Sequence, residues 1–182
     1  LSNAWIYRDF ANSNQCFMIC QNFNIDFNRV RKFMMDGYKR NSTLPIAGFA
    51  AGPCLLKDTM QLTHFTKNKF PLGVESLNLN EGLPLYIVKN LKKKLNFKNK
   101  KIGILGLAFK SDVDDIRDSL SFKLIDILKK EPCKILVSDE FYKHPKGLSK
   151  EDLIKKSDII IVAVPHTNYK KIKITKHKVV VD

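Results

Sequence analysis

At residue 101 the apolar pattern of this 182-residue chain changes period. Before it, apolar side chains recur at helical spacing. Beyond it they come in short continuous runs: KIGILGLAF at 101–109, CKILVSD at 133–139, DIIIVAV at 158–164 and KVVVD at 178–182. Runs of that length read as strands buried on both faces, as in a parallel sheet. Between them lie an amphipathic helix over 120–130 and a second one ending at Ser157, which Ser149 and Asp152 open as a capping box. Strands alternating with helices predict a doubly wound parallel α/β sheet, with ligands at the carboxyl ends of the strands.

The first half reads as all-helical. Trp5, Phe10, Phe17, Ile19 and Phe23 mark an amphipathic helix over 4–23, and a shorter helix runs from Asp26 to Met35, with Gly37 after it. Residues 39–53, rich in Pro, Gly, Ser and Ala, read as a loop. Helical spacing resumes at Lys57, breaks near Pro71 and continues over 72–95 through Leu77, Leu83, Ile87 and Leu91, with Pro84 expected to bend that helix. A boundary in the lysine-rich run KNLKKKLNFKNKK at 89–101 divides the chain into a helical domain, 1–97, and a sheet domain, 98–182. The apolar face of 72–95 exceeds what one small domain covers, which predicts a homodimer built on residues 1–97.

The net charge of +14 favours anionic partners. The lysines are spread along the chain, and the densest run, at 89–101, holds one aromatic and no glycine-rich or zinc signature. A nucleic-acid-binding protein is therefore the rival of a different class, with a steep salt dependence as its mark; the reading preferred is no nucleic acid. No run reaches the roughly 18 apolar residues of a membrane helix, and no signal pattern opens the chain. The four cysteines form no CxxC pair. They read as reduced thiols of a cytoplasmic protein, with Cys16, Cys20 and Cys133 in packing roles. His64, His144, His166 and His177 show no ligand spacing and are expected at the surface or in loops; no metal site is predicted.

Two stretches carry chemistry. In FAAGPCLLKDT at 49–59, small residues lead to Cys54, and Lys57 and Asp58 follow it, a setting that suits a thiol something must reach. In IGILGLAFK, Gly103 and Gly106 give only part of a GxGxxG fingerprint, with no third glycine and no acid closing the next strand at a clear spacing.

Both stretches resemble one family. GPCLLKDT is similar to the active-site cysteine segment of the UDP-glucose/GDP-mannose dehydrogenases, usually Gly-Gly-x-Cys-Leu-Pro-Lys-Asp. ILGLAFKSDVDDIRDS resembles the opening of the same family's C-terminal, Rossmann-like nucleotide-binding domain: a strand, Ala-Phe-Lys, then Asp-x-x-Asp-x-Arg-x-Ser. NAWIY at the start and NEGLP at 80–84 resemble helices of its central dimerisation domain. Leu56 stands in place of the usual proline, Pro53 in place of a less restrictive residue, and Gln15 where many members carry a glutamate after the asparagine, here Asn14.

The resemblance implies an NAD-dependent nucleotide-sugar 6-dehydrogenase that oxidises the C6 alcohol of a UDP-sugar to a uronate with two NAD+, for surface polysaccharide precursors. It implies Cys54 as nucleophile, because a free aldehyde cannot lose a hydride directly whereas a thiohemiacetal can, leaving a thioester to be hydrolysed. It further implies Asp58 for the hydrolytic water, Asn3 for the oxyanion and Lys57 as the nearby cation. Phe109 and Lys110 would contact the sugar nucleotide, Phe49 and Gly52 would approach the substrate, and Arg117 with Asp114 would contact ligand or brace the loop. Family members begin with an NAD-binding Rossmann domain, and their catalytic lysine would precede Leu1; the expectation is a fragment lacking that domain and inactive alone. The alternative within this resemblance is a non-catalytic sugar-nucleotide-binding dimerisation module. The sugar stays open.

Overall fold

The computed structural model describes residues 1–172 and 178–181; His177 and Asp182 lie outside the described residues. Two compact units divide it, Leu1–Leu83 and Pro84–Asp182.

The helical unit is built on α1 (Ser2–Asn22), α2 (Phe27–Met35), a 3₁₀ turn (Lys39–Asn41) and α3 (Pro53–Phe65), and it holds the first part of α4 (Pro71–Lys94). Asp26 caps α2 by accepting from the backbone N–H groups of Asn28 (2.9 Å) and Arg29 (3.3 Å), an ordinary N-cap arrangement. Gly37, at φ +68°, takes the left-handed conformation after α2. The turn between α1 and α2 brings Phe17 edge-on to Phe27, with ring centroids 6.4 Å apart.

α3 starts four residues before the Lys57 start that its periodicity predicts. Pro53 occupies its first turn, where the missing N–H costs nothing and the fixed φ suits a helix. Gly52 sets up that turn at φ +106°, ψ 160°, a conformation open to glycine and few others. The cysteine segment is thus a helix N-terminus and not the end of a loop. α4 continues through Pro84 as one helix.

In the sheet unit, β1 (Lys100–Leu105), β2 (Cys133–Ser138), β3 (Ile159–Val162) and β4 (Val179–Val181) form a parallel sheet in the order β2-β1-β3-β4. α5 (Leu120–Leu128) follows β1, α6 (Lys150–Lys156) follows β2, and a 3₁₀ turn (Thr167–Lys171) follows β3. Ile102, Ile104 and Leu105 of β1 and Ile159, Ile160 and Ile161 of β3 are buried, whereas the edge strands β2 and β4 are partly exposed. That explains the sequence pattern: inner strands covered on both faces are apolar throughout. Ser119 caps α5 by accepting from the Ser121 N–H. Ser149 caps α6 by accepting from the Asp152 N–H at 3.1 Å, as the capping box predicts.

From β1 the chain moves one way to β2, then back across β1 to β3. Right-handed crossovers in opposite directions put α5 and α6 on opposite faces. The strand order therefore reverses between β1 and β3, and the crevice beyond their carboxyl ends is where such sheets take ligands.

Candidate functional site

Each unit presents chemistry-bearing residues of its own. In the helical unit, Cys54 lies in the first turn of α3 and is exposed. Lys57 is exposed and Asp58 half-buried on the same helix. Asp58, four residues after Cys54, shares its face one turn on. There the Asn3 side-chain amide donates to Asp58 Oδ2 at 2.7 Å, tying α1 to α3. Asn3 and Asp58, 55 positions apart in sequence, thus meet one turn on from Cys54, whose own turn carries the free amides of a helix start.

The approach to Cys54 is held by residues the sequence reading passed over. Asn14, fully buried on α1, accepts from the Gly48 N–H at 2.8 Å and donates to Gly48 O (3.0 Å) and Asn80 Oδ1 (2.9 Å). Asn80 in turn donates to Tyr7 O at 2.9 Å. Ser13 donates to Pro45 O at 2.9 Å, and Arg31 donates to Leu44 O and Pro45 O. These bonds tie down Leu44 O, Pro45 O and both backbone groups of Gly48, just ahead of half-buried Phe49 and buried Gly52. Tyr7 OH donates to Glu81 at 3.1 Å, and burial, with the Glu81 carboxylate, pushes its phenol above the ordinary range. In the sequence this network showed only as Asn14 beside Gln15 and as Tyr7, Asn80 and Glu81 within the NAWIY and NEGLP stretches.

Cys16 is exposed, not packed as the sequence reading expects, because it falls on an uncovered face of α1. Cys20 and Cys133 are half-buried. Burial, with the Glu131 carboxylate, pushes the Cys133 thiol up.

In the sheet unit the loop after β1 carries Phe109 and Lys110, with the Lys110 ammonium 5.4 Å from the Phe109 ring centroid. Gly106 opens it at φ +91°, and a Cβ there would fall 2.5 Å from Val164 Cβ and 2.6 Å from Val164 O. An acid does close β2, contrary to the sequence reading: Asp139 follows it directly. Its Oδ2 accepts from the N–H groups of Leu107 and Ala108 (3.1 Å), and its Oδ1 from those of Phe141 (2.8 Å) and Tyr142 (2.9 Å). The turn that would hold a pyrophosphate is therefore filled by the chain's own carboxylate.

His166 completes that site: it lies in the loop after β3, one of the two placements the sequence reading expects, but is fully buried and not at the surface. Its Nε2 lies 3.0 Å from Asp139 Oδ2. The Asp112 N–H donates to its Nδ1 at 2.8 Å, so Nδ1 is the acceptor and the proton sits on Nε2. Burial disfavours a charged Asp139, but the bonds from His166, Leu107, Tyr142 and Phe141 outweigh it and hold the carboxyl far below the usual range.

The Asp-x-x-Asp-x-Arg-x-Ser segment braces this loop. Arg117 pairs with Asp115, not Asp114: its Nε lies 3.0 Å from both carboxylate oxygens and a terminal nitrogen 2.6 Å from one. Those hydrogen bonds lower the Asp115 pKa. Ser119 donates to Ala108 O at 3.0 Å, and the Phe109 N–H to Asp115 O at 2.9 Å. Among the described residues, no group of three His, Cys, Asp or Glu side chains could hold a metal ion, and no helix is long and apolar enough to cross a membrane.

Residues 103–182 match the UDP binding domain of the UDP-glucose/GDP-mannose dehydrogenase family. The chain is 28% identical over 142 residues to the UDP-N-acetyl-D-mannosamine dehydrogenase of Pyrococcus horikoshii, covering 72% of this chain and 34% of that protein. It is 27% identical over 190 residues to the enzyme of the same name from Campylobacter jejuni, covering 98% of this chain and 46% of that one. The fold matches that of a UDP-glucose dehydrogenase from Pyrobaculum islandicum with a TM-score of 0.86 at 24% identity, over all of this chain and 45% of that one. The chain thus spans less than half the length of these relatives.

Proposed function

We propose that the chain forms the central and nucleotide-binding parts, 1–97 and 98–182, of an NAD-dependent nucleotide-sugar 6-dehydrogenase, a reading supported by the match of residues 103–182 to the UDP binding domain of the UDP-glucose/GDP-mannose dehydrogenase family. The observation that carries this reading is the exposed Cys54 in the first turn of α3, one turn from the Asn3–Asp58 hydrogen bond.

The chemistry asks three things of that turn. The Cys54 sulfur adds to the C6 aldehyde and the carbonyl oxygen takes the negative charge, which an amide donor such as Asn3 stabilises. Loss of hydride from the thiohemiacetal carbon leaves a thioester on sulfur. Water then cleaves the thioester, releasing the carboxylate and the thiol, and Asp58 accepts the water proton. NAD+, the oxidant of this reaction class, finds no cradle in the described residues: Asp139 occupies the amides after β1. The steps assigned to this chain are therefore those of the thiol and of nucleotide binding. Phe109 and Lys110 supply a ring and a cation to the nucleotide, and Phe49 and Gly52 line the approach to sulfur.

Thermal shifts across a panel of nucleotide sugars test the substrate class: UDP-sugars should raise the melting temperature and GDP-sugars should not. In the chain joined to a nicotinamide-binding domain, Cys54→Ala should abolish acid formation; acid production surviving at even a tenth of the original rate would sink the thiol's role. A cytoplasmic homodimer built on the helical unit is part of the same reading. Trp5 and Ile19 of α1, Phe23 just after it and Phe33 of α2 are exposed at 63%, 52%, 72% and 67%, the kind of apolar surface that a second copy covers. Light scattering at tens of micromolar should give twice the chain mass, and a monomer would overturn that assembly.

A further inference from the structure

We propose that His166 is the positioning residue of the nucleotide-binding arch, holding Phe109 and Lys110 ready for the uracil nucleotide by clamping the chain on both sides of them. The inference rests on the reading of that loop as the UDP site and assigns it a residue outside the loop.

On the near side of the arch, Leu107 and Ala108 give their N–H groups to Asp139, and Asp139 is held in turn by His166 Nε2. On the far side, the Asp112 N–H donates to His166 Nδ1. One imidazole therefore fixes both feet, and Phe109 and Lys110 lie between them. The segment that carries His166 adds an outer set of ties. Ser111 Oγ donates to Pro165 O at 2.9 Å. The Asp112 carboxylate accepts from the Thr167 N–H (2.8 Å) and hydroxyl (2.6 Å).

The ring itself has no freedom to follow the loop. It is fully buried, and the rings of Phe141 and Tyr169 pack against it with centroids 5.0 and 5.2 Å away. His166 comes four residues after β3, whereas the arch follows β1, so the clamp spans the point where the strand order reverses. A five-membered ring with a donor at one nitrogen and an acceptor at the other meets both demands in this tautomer. Pre-ordering the arch removes an entropic cost that the ligand would otherwise meet on binding.

The experiment is calorimetric titration with UDP of the unaltered protein, His166→Phe, His166→Gln and Thr167→Ala, each checked for its melting temperature. His166→Phe keeps the volume but loses both bonds, and should weaken UDP binding by about tenfold or more at a temperature where it is fully folded. His166→Gln, with an amide donor and acceptor, should recover most of that loss. Thr167→Ala, at the exposed rim, should weaken binding by about threefold with little change in melting temperature.

Unchanged UDP affinity in folded His166→Phe would overturn the clamp. If that variant does not fold, unchanged affinity in Thr167→Ala would overturn it equally, and weakened affinity in Thr167→Ala without loss of stability would support it. Failure of the unaltered protein to bind UDP would overturn the functional reading instead. The clamp would then be read from hydrogen exchange, expected to quicken at the amides of Leu107, Ala108 and Asp112 in folded His166→Phe, or at Asp112 in Thr167→Ala where His166→Phe does not fold, and to overturn the proposal if it does not.

Discussion

The two units hold their reactive residues in opposite ways. In the helical unit, Cys54 stands exposed at a helix start, and Asn3 and Asp58, proposed to assist it, share a single hydrogen bond. In the sheet unit, the side chains of Asp139 and His166 beside the loop after β1 are buried and bonded to capacity: Asp139 accepts from four backbone amides and an imidazole. Apolar surface divides the same way. Of the seventeen large apolar side chains exposed among the described residues, thirteen belong to the helical unit, so that unit leaves far more apolar surface open than the sheet unit does. Reactivity and stability are therefore separable in the first unit and fused in the second.

The largest expected effect breaks that fusion. Asp139→Ala strands the donors of Leu107, Ala108 and His166, and should cost roughly 3 kcal/mol in urea denaturation; a loss under about 1 kcal/mol would mean the loop does not depend on it. The same carboxyl fixes a pH dependence. Its folded-state pKa lies below the unfolded value of about 3.9, so its stabilisation is complete above that pH and fades as pH falls toward the folded value. Acid unfolding should begin in the sheet unit below about pH 4, and Asp139→Ala should flatten that limb. A variant that retained the full acid limb would assign it to other carboxylates.

A smaller effect tests the helical unit from within. Asn14→Leu fits the volume but strands Gly48 and Asn80, and should cost about 2 kcal/mol. It should also alter the rate at which iodoacetamide reaches Cys54, since residues 44–52 lead to it. Lost stability with an unchanged alkylation rate would confine Asn14 to packing.

The smallest effect concerns the thiols themselves. Cys54 and Cys16 are both exposed, but Cys54 sits in a first helical turn and Cys16 in the body of α1. Helical side chains lean toward the N-terminus, so Cys54 in a first turn has no preceding turn over it and should react several-fold faster. Cys54→Ala should change stability by less than about 0.5 kcal/mol, as befits an exposed side chain. Cys16 labelled first, or a destabilised Cys54→Ala, would show that reactivity and stability are not separate in this unit.

The sequence by itself determined what depends on near neighbours along the chain. Continuous apolar runs marked four strands, because inner strands of a parallel sheet have no polar face. Ser149 and Asp26 marked helix starts, because caps act over two or three residues. The cysteine segment and the Phe109–Lys110 loop were legible because each is a contiguous motif. What tertiary structure decided are pairings across 27 to 66 residues: Asp139 with His166, Asp112 with His166, Asn14 with Gly48 and Asn80. No spacing announces them, since each partner is an ordinary polar residue until the sheet or the helix packing brings it within 3 Å of the other. Even the start of α3 was decided this way. Small residues before Cys54 read as loop, and only Gly52 at a positive φ, with Pro53 in the first turn, makes the thiol part of a helix N-terminus.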